Sequence, residues 1–183
     1  RNPNWYKRPD WFLSVGVPRL YENKDMRLSY VVWQEGVNPF VVVELLSPGT
    51  RKEDLGEVQA EPGSPPDKWT VYEQILRVPY YIVFDRYTDD FRAFKLNAGR
   101  YEALSLPEGR LWLSELNVGL GLWQGNYKQV ERLWLRWYDE TGSWLPTPAE
   151  QTEQERQRAD TAEAELAQLK SLLQAKGIDP TKL

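Results

Sequence analysis

Few side chains in this sequence can carry out chemistry. Among its 183 residues there is no Cys and no His, which excludes zinc fingers, structural Cys/His zinc sites, the Ser-His-Asp triad and the Cys-His dyad. Acid–base or metal chemistry falls to Asp, Glu, Lys, Arg, Tyr or Ser, and an oxygen-rich set of that kind suits Mg²⁺, Mn²⁺ or Ca²⁺. Glu44 is conspicuous by its position in Pro39 to Gly49, PFVVVELLSPG, where an ionisable group sits inside a run of Phe, Val and Leu. An unpaired carboxylate there would cost several kcal/mol unless it is protonated, hydrogen-bonded, ion-paired or bound to a metal.

Partners can be sought at short range from strands and helices. Asp10 follows Pro9 immediately before an apolar run, and Lys68 precedes Tyr72 by four residues, so both reach from one helix face. If Asp10 and Glu44 converge at neighbouring strand ends, they make a two-carboxylate pocket for one Mg²⁺, with Lys68 reaching over it. The plainer alternative is a buried Glu44–Lys68 ion pair at a helix–sheet interface with no chemistry.

The elements that must position these residues follow from periodicity and turn signals. On a strand, Phe40, Val42, Glu44 and Leu46 share one face and Val41, Val43 and Leu45 the other. Both faces are apolar, which implies a central strand covered on both sides. Trp11–Val17, Arg27–Trp33 and Pro39–Leu46 read as strands, the last closed by Ser47-Pro48-Gly49. Thr50–Pro66 reads as a long polar loop. Asp67–Arg77 then places Trp69, Tyr72, Ile75 and Leu76 at helical spacing, ending at Val78-Pro79. Tyr80–Asp85 reads as a buried strand, Phe91–Leu96 with Tyr101–Leu106 as a hairpin, and Leu111–Leu113, Val118–Trp123 and Val130–Tyr138 as further short strands.

From Thr147-Pro148 onward the composition changes to Ala, Glu, Gln and Leu. Ala159, Ala162, Leu166, Leu169 and Leu173 recur at alternating steps of three and four, as along a coiled-coil seam, and Gly177 stands where a C-terminal cap would. Such a helix either self-associates or docks a partner through residues 150–176, or packs back on its own domain as a solvated helix. The expected organisation is one domain over residues 1–146 and a C-terminal helix over 147–183. The first residue is Arg rather than Met, so a processed or partial chain lacking its N-terminal part is the expectation.

Hydrophobic residues make up 41% and charged residues 27%, a globular composition. The nine Trp and ten Tyr are expected mostly to pack in core and sheet, the remainder to stack on bases or another planar ligand. A net charge of −4 is not the footprint of a general nucleic-acid binder, so any such site is local. Without Cys there is no disulfide framework, and no apolar run approaches the roughly 20 residues that span a membrane. A cytoplasmic protein is the expectation.

PDWFLSVGV at Pro9–Val17, VVVELLSPGT at Val41–Thr50 and KWTVYEQILRVPYYIVFD at Lys68–Asp85 resemble, in order, three motifs of the Uma-type restriction endonuclease family, common in cyanobacteria. The likeness extends from about Pro9 to about Trp144, and the tail ending in GIDP is similar to those of many members. It implies an α+β fold of the PD-(D/E)XK nuclease class: a restriction-endonuclease-like mixed β-sheet core with a flanking helix, extra β-hairpins and a C-terminal helix. It further implies phosphodiester hydrolysis of DNA assisted by Mg²⁺ or Mn²⁺. Asp10 and Glu44 match the metal-binding acids, and Lys68 matches the lysine that positions water and neutralises charge in the transition state. Tyr72 and Asp85 match positions around that site. In the usual motif the lysine lies two residues after the glutamate, where this chain has Leu46; the resemblance implies that the lysine has moved to the helix as Lys68. A second reading keeps the nuclease-like fold as a catalytically inactive scaffold that docks to a larger assembly through its C-terminal helix.

Overall fold

The computed structural model describes residues 7–58 and 63–176, and the chain divides into two compact units, Arg1–Gly142 and Ser143–Leu183. In chain order the first unit contains β1 (Trp11–Leu13), α1 (Val32–Glu35), β2 (Val41–Leu45), α2 (Arg51–Asp54) and α3 (Lys68–Thr70). The last of these runs into a π-turn at Val71–Ile75. There follow β3 (Tyr80–Asp85), β4 (Asp90–Asn97), β5 (Arg100–Ala103), β6 (Arg110–Leu113), β7 (Val118–Tyr127) and β8 (Val130–Tyr138). The second unit contains α4 (Pro148–Ala175).

Five strands form a mixed sheet in the order β1-β2-β3-β4-β5. Only β2 and β3 are parallel, with Glu44 opposite Val83, and the remaining pairs are antiparallel. A parallel pair requires a crossover; here it is the segment bearing α2 and α3. One sheet face joins Val41, Val43, Tyr80, Ile82 and Ala93 to Leu111, Leu113 and Leu120 of a second, three-stranded sheet. The other joins Val42, Leu46, Tyr81 and Val83 to Tyr72 and Val78 of the crossover. The central strand β2 is therefore covered on both sides, as its two apolar faces require, and Glu44 projects toward the crossover with Val42 and Leu46. The architecture is a restriction-endonuclease-like α+β fold.

Several local expectations are corrected. The strand expected over Trp11–Val17 leaves the sheet after Leu13, with Gly16 at φ 78°. Arg27–Trp33 is not a strand: Arg27 pairs with Glu35 at 2.6 Å and donates to the carbonyls of Pro18 and Arg19. These contacts fold the segment onto itself, end it in the short helix α1, and leave Leu28 and Trp33 exposed. The polar stretch Thr50–Pro66 contains the one-turn helix α2, and its residues 59–62 lie outside the described residues.

The helix expected over Asp67–Arg77 starts on the Asp67 side chain, which accepts the Thr70 amide at 2.8 Å, but it then widens. The Leu76 amide bonds the Val71 carbonyl at 2.8 Å, an i→i−5 contact. A π-turn holds more residues than 3.6 and rotates the downstream register. Ile75, expected on the packed face, is 58% exposed, and Glu73 is buried instead, where it accepts the Tyr101 amide at 2.8 Å.

In the second unit, Thr147 and Glu150 form a capping box at the start of α4. The helix has no buried residue, and Leu166, Leu169 and Leu172 are about half exposed. Its last described turn closes with the Lys176 amide on the Leu172 and Leu173 carbonyls; the cap expected at Gly177 lies outside the described residues. Among the described residues no helix is long and apolar enough to cross a membrane.

Gly56, at φ 68°, ends the turn carrying α2, and a Cβ there would come within 2.8 Å of the Trp69 ring. Backbone conformation and close approach both demand glycine. Gly56→Ala is expected to lower the unfolding free energy by about 1–3 kcal/mol, read as a reduced urea midpoint at unchanged slope.

Candidate active site

The C-terminal ends of parallel strands β2 and β3 open on the same sheet edge, the customary place for a site in sheets with parallel strands. The antiparallel neighbours β1 and β4 begin at that edge, so Asp10, Glu44 and Asp85 are gathered there from three distant segments.

Glu44 is fully buried. Tyr72 Oη donates to its Oε1 at 2.9 Å and Lys68 Nζ to its Oε2 at 2.9 Å. Lys68 Nζ also lies 2.8 Å from Asp54 Oδ1 in an ion pair. Asp54, itself 1% exposed, is held by its backbone, since Tyr81 Oη donates to the Asp54 carbonyl at 2.7 Å. Lys68 retains 14% side-chain exposure, so it is the member of the cluster that reaches the surface. Leu46 is buried beside Val42 and Tyr72: the position where the usual motif has lysine is core here, and the charge enters from α3.

Burial dominates the titration of this cluster. It pushes the Glu44 carboxyl up to about 7, against the hydrogen bond and charge of Lys68 and the hydrogen bond from Tyr72, with the neighbouring Asp54 adding to the rise. For Lys68, burial favours the neutral amine, but the hydrogen bonds and charges of Asp54 and Glu44 outweigh it and raise its pKa. Tyr72 is also raised, first by burial and then by the Glu44 charge, so it remains a neutral donor.

The other two acids have different surroundings. Asp10 is exposed, and its Oδ2 accepts the Leu45 amide at 2.7 Å, capping the end of β2; no direct contact joins it to Glu44 among the described residues. Asp85 is buried and ion-paired to Arg51 of α2, while its Oδ1 accepts the Tyr87 amide at 2.9 Å. That amide bond, with Thr88 and the Arg51 charge, holds its carboxyl below the ordinary value. Asp85 thus secures α2 to the sheet edge. Asp54 escapes a reading of the sequence because Arg51-Lys52-Glu53-Asp54 looks like a solvated charge run. The available signal is that a buried ammonium has three protons to place and one glutamate does not satisfy them.

With Glu44 ionised, the two buried carboxylates exceed Lys68 by one negative charge, and exposed Asp10 adds another nearby. Among the described residues no group of three or more acids assembles a cage. A hydrated Mg²⁺ is commonly held by one or two carboxylates, so the donor set fits a cation of that kind.

The raised Glu44 carboxyl has a consequence for stability. Between pH 4.5 and about 7 the folded chain keeps a proton that the unfolded chain has released, so stability falls as pH rises through this window. Relative to Glu44→Gln, the wild type is expected to lose about 3 kcal/mol between its ends, measured by urea unfolding at each pH; parallel pH profiles would contradict it.

A family model described as "Uma2: Putative restriction endonuclease" matches residues 1–132. No curated protein and no solved structure matches the chain. The matched span is well over half of the chain and includes Asp10, Glu44, Asp54, Lys68, Tyr72 and Asp85, the residues that build the sheet edge and its buried cluster. The chain belongs to the Uma2 family.

Proposed function

We propose that the chain is a metal-dependent DNA endonuclease that hydrolyses phosphodiester bonds at the Asp10, Glu44 and Lys68 edge. The observation that carries this reading is a fully buried carboxylate held at the end of parallel strands by a lysine that still reaches solvent.

Asp10 and Glu44 would hold Mg²⁺ or Mn²⁺, which when bound supplies charge neutralisation at the phosphate and acidifies a water. Lys68 has three donors; one goes to Glu44 and a second faces Asp54 Oδ1 across the ion pair. The third is left for the attacking water or a non-bridging phosphate oxygen, where a fixed ammonium stabilises the charge that grows in the transition state. Asp54 keeps Lys68 charged and aimed, and Tyr72 fixes the rotamer of Glu44. Asp85 acts one step away, through Arg51 and α2. No covalent enzyme intermediate is needed.

A second reading is favoured by the closure of the cluster, in which Glu44 is already satisfied by Lys68 and Tyr72, and by the exposed leucines of α4. In it the fold is an inactive scaffold that docks a partner or a second copy through residues 150–176.

Incubation with plasmid DNA in Mg²⁺ or Mn²⁺ separates the two. Glu44→Gln and Lys68→Met are each expected to reduce nicking at least about 100-fold with unchanged circular dichroism, and chelation with EDTA to abolish it. Wild-type protein that neither cleaves nor binds either metal would leave the scaffold reading in place.

A further inference from the structure

We propose that the distal half of the β7–β8 hairpin is a DNA-binding arm that takes duplex DNA by its groove and phosphates and leads it to the sheet edge. This deepens the nuclease reading and rests on it for where the DNA goes. The ribbon itself is built from residues separate from that site.

Pairing of β6 with β7 ends at Gly121, whereas β7 and β8 remain paired out to Tyr127 and Val130. The outer half is therefore a two-stranded ribbon, a form that is marginal in water on its own and that fits the width of a DNA major groove. Strand alternation places Trp123 and Tyr127 on the same face as Arg132, Trp134 and Arg136. The Arg136 guanidinium lies 4.4 Å over the Trp123 ring and that of Arg132 5.6 Å over Trp134, while Tyr127 meets Trp134 edge-on at 5.4 Å. The backbone accommodates this ladder: a Cβ at Gly125 would fall 2.2 Å from the Trp123 ring, and the Gly125 carbonyl accepts Trp134 Nε1 at 3.1 Å. None of Trp123, Tyr127 and Trp134 belongs to either buried core.

The tip provides a second observation. The two-residue turn Lys128-Gln129 has φ of 49° and 67°, a conformation that favours Asn-Gly and costs L-residues energy. The sequence accepts that cost with Lys and Gln, leaving an ammonium exposed at the end of the ribbon. In a chain of net charge −4, residues 127–136 carry three cations, Lys128, Arg132 and Arg136, against the single acid Glu131. Cations with few acids complement the phosphate backbone of a duplex, and the rings beneath Arg132 and Arg136 hold those guanidinium groups on one face of the ribbon. The ribbon is also tied to the site. Arg132 donates to the Arg86 carbonyl and lies 3.9 Å from Asp89, in the β3–β4 turn that follows Asp85 at the edge bearing Glu44.

The test is the anisotropy of a short fluorescein-labelled duplex titrated with the full chain in EDTA over a series of salt concentrations, alongside hydrolysis of bis(p-nitrophenyl) phosphate in Mn²⁺. That diester is too small to need the ribbon. Lys128→Ala is expected to weaken duplex binding and to reduce the slope of log K against log salt by about 1, with diester hydrolysis at the wild-type rate. Lys128→Glu, at the same exposed turn, should weaken binding further. Wild-type affinity and slope in both variants, no duplex binding by the wild type, or equally tight ribbon-dependent binding of a single strand of the same length would each overturn the proposal. Ribbon-dependent binding without diester hydrolysis would sink the nuclease reading alone, and diester hydrolysis with ribbon-independent binding would sink the arm alone.

Discussion

Burying the Glu44 carboxylate in the middle of the sheet imposes a condition on everything around it. Leaving that charge unpaired would cost about 3–5 kcal/mol, a large part of the total stability of a domain this size. Its partners arrive from far along the chain: Lys68 from α3, Tyr72 from the π-turn that continues it, and Asp54, through Lys68, from α2. The crossover between β2 and β3 must therefore do more than bridge two parallel strands. It must bring α2 and α3 onto one sheet face in a single register, and the Tyr81 bond to the Asp54 carbonyl, the Arg51–Asp85 pair and the Trp69 ring against Gly56 all act on that register.

Two carboxylates of the same residue type show how environment decides chemistry. Glu115 also has a cation and a tyrosine as partners, but it is largely solvated, so the hydrogen bonds from Lys95 and Tyr80 hold it down at about 2. Glu44 has a comparable partner set, yet desolvation prevails and its carboxyl titrates near neutrality. Partner identity alone does not distinguish the two; loss of water does. A carboxyl shifted in that way changes its protonation near neutral pH, whereas Glu115 stays ionised as part of a surface ion pair.

The aromatic content divides in a similar way. Trp69 of α3 packs edge-on against Tyr81, Phe94 and Tyr101 of the sheet, and Tyr81 stacks on Tyr101, which holds down the crossover that carries Tyr72 and Lys68. Trp123, Tyr127 and Trp134 instead line a ribbon outside both cores, interleaved with guanidinium groups. Composition counts both sets alike, and packing against the buried core separates them.

Much of this was legible in the sequence, because local rules suffice for it. A double-faced apolar run makes β2 central, turn residues bound β2 to β5 and the hairpins, and the anomaly of an acid in PFVVVELLSPG demands a partner that Lys68 and Tyr72, one helical turn apart, can supply. Arg27–Trp33 has strand composition, but the pairing of Arg27 with Glu35 overrides it, and the π-turn that exchanges Ile75 for Glu73 leaves no mark in a 3.6-residue pattern. Asp54 could not be told from its charged neighbours until the fold excluded water from it and left Glu53 and Lys52 outside. The sequence by itself determined which groups are available and which strand must be buried, since both depend on residue type and short-range spacing. Which acid shares Lys68, how far Glu44 is shifted and which rings face outward were decided by tertiary structure alone, because desolvation and the convergence of distant segments exist only once the chain has closed around them.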